Sequence, residues 1–261
     1  QKDINIIIEE KPTGELMAGA GYGSDGSTFS IGVKENNFKG EGINLNSKLS
    51  LSEQTVKGFF EYTHPNFAYS DRALSTSLES SVTDKLTDFG YKSSLNKISL
   101  GTRYEQFEDT FFSPRLSISD ESLDTTSTAS AAYKKQQGSY FDTTFDYGLT
   151  LDKRNSAYQP SSGFYSSWFQ QLPIISENQT IVNGYTITGY KEIVDDMIVS
   201  SGIYSRAVNS LSNDDVRVSK RVFAPSSRLR GFESGKVGPV DGTDHIGGNY
   251  VVTINTSSTD R

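Results

Sequence analysis

Apolar and polar residues alternate with a period of two along most of this chain, which is the signature of half-buried β-strands. In 43–51 ("INLNSKLSL") Ile43, Leu45, Leu49 and Leu51 share one face, while Asn44, Asn46, Lys48 and Ser50 share the other. In 141–152 Phe141, Phe145, Tyr147, Leu149 and Leu151 oppose Asp142, Thr144, Asp146, Thr150 and Asp152. Phe29/Ile31/Val33, Leu74/Leu78/Val82, Ile98/Leu100/Tyr104 and Phe112/Leu116/Ile118 read the same way, and 180–190 and 196–206 alternate less cleanly. Helical periodicity is hard to find.

Turn chemistry separates the runs. "SDGS" (24–27) predicts a tight hairpin with Gly26 at positive φ. Longer connections are predicted at 36–42, 64–71, 152–163 and 172–179. The pattern gives roughly twelve strands after residue 13, most of about 9–12 residues, long enough to cross a bilayer when tilted. Residues 1–12 stand apart: Ile4, Ile6 and Ile8 share a face, and "KPTG" then breaks the run. They read as the last strand of a preceding domain, with 13–261 as the main one.

Composition agrees with an all-β chain: 261 residues hold 23 Gly, 14 Tyr and 15 Phe, but only two Met and one Trp. The net charge of −7 argues against a nucleic-acid partner, which requires a basic surface. Absence of cysteine excludes disulfides, thiolate metal sites and cysteine nucleophiles. No apolar run approaches the roughly 20 residues of a spanning helix. The chain opens on "QKDINIIIEE" without a signal peptide pattern, so a processed chain or an excised fragment is expected.

Alternation alone does not say which face meets lipid, because a soluble β-sandwich also hides one face of each strand. Three features favour a membrane barrel. The strands are long, the polar faces carry Asp, Lys, Arg and Gln rather than a second core, and aromatics recur near strand ends (Tyr62, Phe67, Tyr69, Tyr104, Phe107, Phe112). A polar lumen also accounts for the mean hydropathy of −0.49.

Enzyme signatures are missing: there is no H-E-x-x-H and no G-x-S-x-G, and His64 and His245 fall in a turn and a long loop. "GAGYGS" (19–24) lies inside a strand pattern with no helix after it, unlike a phosphate loop. Asp142, Asp146 and Asp152 share a face and could suggest a cation site, although solvated lumenal charges are the simpler reading. No cofactor is implied.

The region 208–247 is far longer than an ordinary connection and is not of low complexity. It holds "RLRGFESGKVGP" (228–239) and then "GGNY" (247–250). Taken alone, Arg-Gly-Phe is a turn with a solvated arginine. The wider string resembles the (V/I/L)-R-G-(F/Y) loop of BamA-type outer-membrane assembly proteins. "KPTGELMAGAGYGSDGSTFSIGVKENNFKGEG" (11–42) is similar to that family's junction between its last POTRA domain and first two barrel strands; "FEYTHPNF" (60–67) and "YQPSSGFYSSWFQ" (158–170) resemble its later turns, in the same order.

The resemblance implies an antiparallel transmembrane β-barrel of about sixteen strands, about twelve of them present, preceded by the end of a POTRA domain. Loop 208–247 would be external and fold back into the lumen. Within it Leu229, Arg230, Gly231 and Phe232 would form an internal latch, Arg230 reaching the inner wall and Phe232 packing on lumenal side chains. The family's acidic partner position falls near Ser257, so Glu233 is a possible partner of Arg230. The implied function is non-enzymatic assembly and insertion of outer-membrane proteins. Its partners would be unfolded barrel clients, accessory lipoproteins and the lipid bilayer. Gly14, Leu16, Gly19, Gly21 and Gly23 of the first strand would form the lateral seam, where glycine adds backbone freedom or merely relieves crowding. A secretion barrel of the same superfamily is the alternative, and a passive porin a more distant one.

Overall fold

A computed structural model of the chain describes residues 12–23, 26–86, 90–225, 227–229, 231–233, 235–242 and 244–260. The strand expected around Ile4–Ile8 and the tip of the first hairpin (24–25) lie outside these residues. So does Arg230.

Twelve strands form one antiparallel sheet in chain order: β1 (Gly14–Gly23), β2 (Gly26–Phe38), β3 (Ile43–Ser52), β4 (Thr55–His64), β5 (Ala73–Lys85), β6 (Tyr91–Phe107), β7 (Thr110–Thr125), β8 (Gly138–Asp152), β9 (Ser162–Ser176), β10 (Thr180–Val194), β11 (Met197–Ser210) and β14 (Tyr250–Asp260). The long connection between β11 and β14 contains a separate two-stranded element, β12 (Val240–Asp241) with β13 (Asp244–His245). One short helix, α1 (Ala131–Lys134), lies between β7 and β8. β1 and β14 are the two edges of the sheet.

Register carries the sequence alternation across the sheet. Phe29 faces Leu51, Leu51 faces Val56 and Val56 faces Val82; Phe60, Leu78, Ile98 and Ile118 form a second continuous row. These apolar side chains share one face and are exposed there. A one-residue slip in any pair would move a whole strand's apolar set to the other face, so the pattern pins the register. The opposite, polar face buries Ser77, Ser99, Ser117, Glu121, Asp142, Thr144 and Asp146. Near the 108–109 end, Tyr104, Phe112, Tyr147 and Trp168 make an aromatic chain on the apolar face, edge-to-face at both ends and tilted between Phe112 and Tyr147, with centroids 5.3–6.2 Å apart.

Two expectations need correction. β6 to β11 run 14–17 residues, longer than the alternation predicted. At their loop-side ends the apolar face changes to Ser94, Ser122 and Ser139, so the period-two contrast disappears while the backbone continues to pair. The connection expected at 172–179 shrinks to 177–179, because β9 continues through Pro173 to Ser176. A bulge makes this possible: Thr143 faces Ile175 and Thr144 faces Pro173, so the residue without an N–H sits where the ladder is already irregular.

The buried side chains gather at the end of the sheet that carries α1 and the β11–β14 connection. One cluster is Tyr91, Leu123, Ala129, Tyr133 and Val218; another is Val182, Val208, Val216 and Val222. Both combine strand residues with residues of the long connection, so that connection supplies much of the core.

Candidate functional site

The β11–β14 connection lies against the polar face, and its seat is built around Arg217. Alternation continues into the loop: Val216 packs into the second cluster, Val218 into the first, and Arg217 between them turns toward the sheet. Arg217 is 1% exposed, and its guanidinium meets two carboxylates. One terminal nitrogen donates to Glu121 Oε2 at 2.6 Å, and the other to Asp142 Oδ2 at 3.1 Å and Oδ1 at 3.2 Å. Glu121 on β7 stands opposite Tyr140 on β8, two residues from Asp142, so both acids reach the same point from adjacent strands. The guanidinium lies over the Tyr140 ring, 3.8 Å from its centroid.

A second cation balances the charge. Lys220 Nζ donates to Asp142 Oδ2 at 2.8 Å. Burial, together with the adjacent Arg217 charge, holds the Lys220 ammonium below the usual lysine range. Ser176 donates a further hydrogen bond to Asp142. Two acids and two bases therefore close a compact, nearly dry group. A charge removed from such a group leaves its partners uncompensated in a medium that solvates them poorly.

The backbone on either side of Arg217 is clipped by one side chain. Gln136 accepts from Val218 N–H at 2.7 Å and donates to the Val216 carbonyl at 3.3 Å. Tyr133 donates to the His245 carbonyl at 2.7 Å, and Asp244 accepts from Ser130 N–H at 2.7 Å. Burial is the main cause that pushes the Tyr133 phenol well above the usual tyrosine range, which keeps this donor protonated. Further along the loop, Arg228 stacks on Tyr204 of β11 at 4.8 Å, and its carbonyl accepts from Asn255 of β14 at 2.8 Å. The loop thus touches β7, β8, β11 and β14. Replacing Tyr133 with Phe removes this buried hydrogen bond, and we expect a loss of about 1–3 kcal/mol in denaturant unfolding of the full-length protein.

Of the residues expected to form the latch, Arg230 lies outside the described residues, and Leu229, Gly231, Phe232 and Glu233 lie within them. Leu229 is half-buried, with its N–H donating to the Pro225 carbonyl at 3.0 Å. Gly231 takes φ +84°, a turn conformation that disfavours a side chain. Phe232 is 59% exposed rather than packed on the sheet. Glu233 pairs with Lys236 at 2.8 Å. Ser257, at the position where the resemblance places an acid, shares a hydrogen bond with Ser200 at 2.8 Å.

Asp142 and Asp146 are buried, not solvated, and Asp152 pairs with Arg154 at 2.7 Å. Among the described residues no group of three or more His, Cys, Asp or Glu could hold a metal ion. Gly14, Leu16, Gly19, Gly21 and Gly23 all lie in β1, which among the described residues pairs with β2 alone. Added Cβ atoms at Gly19 and Gly21 would stand 3.3 and 3.2 Å from the Ser30 and Thr28 hydroxyls, so these glycines also permit close cross-strand approach.

No contiguous motif marks Arg217 in the sequence. The signal that could have found it is Val216-Arg217-Val218, a lone charge inside a period-two apolar pattern, together with Glu121 and Asp142 on the polar parity of neighbouring strands.

The family model described as the Omp85 superfamily domain matches residues 37–258. A solved structure of BamA from Haemophilus ducreyi lacking POTRA domains 1–3 superposes with a TM-score of 0.83 at 20% identity. That match covers 94% of this chain and 52% of the other, so the chain spans about half the length of that structure.

Proposed function

Since the chain belongs to the Omp85 superfamily, we propose that it is the greater part of an outer-membrane barrel that assembles and inserts other β-barrel proteins. The observation that carries this reading is the Omp85 match over residues 37–258, together with a glycine-rich β1 at the edge of the described sheet. Such an edge templates strand addition. Its glycines reduce side-chain packing, and Leu16 is 76% exposed on the apolar face. The exposed apolar rows would meet lipid, and the polar face with its seated loop would line the lumen. The work is non-covalent: an incoming strand exchanges its water-bonded backbone for a ladder on β1, and no bond chemistry is required. Unfolded barrel precursors are the clients in this reading, and accessory lipoproteins would accompany the full-length protein.

The chain has no cysteine, so single replacements report cleanly. With Leu16→Cys in the full-length protein and a cysteine in the last strand of a client barrel, we expect a disulfide to form when a thiol oxidant is added during client insertion into vesicles, and not when the oxidant is added after insertion is complete. Insertion at normal rate with no such crosslink anywhere along β1 would refute the templating role. Client export without insertion would favour the secretion reading.

A further inference from the structure

The apolar face contains one row that breaks its own rule. Leu49, Gly58, Ser80, Asn96, Asp120 and Phe141 lie side by side in register across β3 to β8. Four of the six are small or polar, although the next row is Phe60, Leu78, Ile98 and Ile118. Gly58 and Ser80 lower the surface between the larger side chains, and the result is an open groove of about 690 Å³. On the loop side of the groove the row over β6 to β8 is Ser94, Ser122 and Ser139. Over β6 to β8 the groove therefore sits where the apolar band ends; over β3 to β5 the same row stays apolar as Leu51, Val56 and Val82.

Its polar groups are specific. Ser80 donates to Asn96 Oδ1 at 2.8 Å. With Oδ1 occupied, the group Asn96 has to offer is its amide Nδ2, a donor. Asp120, the direct neighbour of Asn96 across the ladder, is exposed, and among the described residues it forms no ion pair. A carboxylate beside an amide donor complements a molecule that carries a cationic donor next to an anionic acceptor. The apolar ridge below complements a hydrocarbon tail attached to it.

We propose that this groove binds a zwitterionic aminophospholipid, of the phosphatidylethanolamine type. Its primary ammonium bonds Asp120, its phosphate accepts from Asn96 Nδ2, and an acyl chain lies along Phe60, Leu78, Ile98 and Ile118. Depth supports this occupant. A carboxylate facing the hydrocarbon core is unfavourable, and the cost falls away near the interface where headgroups lie. A quaternary ammonium offers no N–H to Asp120, so the groove discriminates against choline headgroups. The proposal rests on the reading of the apolar face as the lipid-facing wall.

The test uses the full-length protein in vesicles containing photoreactive-acyl phosphatidylethanolamine or photoreactive-acyl phosphatidylcholine, with crosslinks mapped by peptide mass spectrometry. We expect crosslinking to the peptides holding Phe60, Leu78 and Ile98 to be about tenfold higher with the ethanolamine lipid, the ratio that one charge-assisted hydrogen bond supports. D120N should abolish the preference. G58L, whose added Cβ meets no atom closer than 3.8 Å, should reduce crosslinking of both lipids by filling the groove. Equal crosslinking of the two lipids in the wild type, a preference that survives D120N, or a protein subunit covering these peptides would overturn the proposal while leaving the membrane reading intact. Failure of the wild type to integrate into vesicles would overturn both.

Discussion

Replacing Arg217 with alanine destabilises the full-length protein by about 3–5 kcal/mol in denaturant unfolding and exposes the β11–β14 connection to protease. The reason lies in what the substitution leaves behind. Glu121 loses its 2.6 Å partner, Asp142 keeps Lys220 and the Ser176 hydroxyl but no guanidinium, and the Tyr140 ring loses the cation stacked on it. Both acids are buried, so water does not replace the lost partner without opening the seat. Removing the whole group should be gentler than removing one member. A quadruple variant with Arg217→Met, Lys220→Met, Glu121→Leu and Asp142→Leu recovers part of the loss, because no isolated charge remains. If Arg217→Ala alone unfolds at the wild-type denaturant concentration with an unchanged slope, the ion-pair group is not what holds the loop.

A second large effect is expected far from the loop, at Gly163→Ala. Gly163 has φ +90°, and a Cβ added there would stand 2.0 Å from the Lys153 carbonyl oxygen and 2.9 Å from its carbon. Both obstacles are backbone, and they sit where Lys153 N–H donates to Phe164 O at 2.9 Å and Asn155 N–H to Ser162 O at 3.2 Å. Relief requires the β8–β9 connection to move away from β9. The strained φ alone costs about 1–3 kcal/mol, and the clash adds to it. We expect at least 3 kcal/mol in total, read as loss of the folded, heat-modifiable band on gels. Gly40, also at positive φ but with no atom within 4 Å of an added Cβ, serves as the control and should lose only the conformational part.

Much of the sheet could be read from the sequence because each apolar strand position repeats every second residue, and pairing in chain order carries that parity from β2 to β8. Where the alternation blurs, at 180–190 and 196–206, the strands still form. Val182 and Val208 are apolar on the polar face because the loop covers them, so the alternation is broken by a partner that sequence spacing does not reveal. The same contact hid the site. Glu121 and Asp142 look like ordinary lumenal acids in isolation, and Arg217 lies 96 and 75 residues away from them along the chain. Nothing local brings the three together; strand register and loop return do. The Arg-Gly-Phe motif was visible because it is a contiguous string. Phe232 is nevertheless exposed and Glu233 engaged with Lys236, so the latch on Arg230 remains a proposal beside the seat at Arg217.

Arg217 seats the β11–β14 connection on the polar face. Thiol labelling reads this seat, since these 261 residues contribute no native thiol of their own to compete. In the folded full-length protein, the account predicts that a cysteine at Val218 reacts with a bulky maleimide only slowly. A cysteine at Phe232 should react freely, and adding Arg217→Ala should make the first react like the second. Equal, rapid labelling at both positions in the presence of Arg217 would contradict the account.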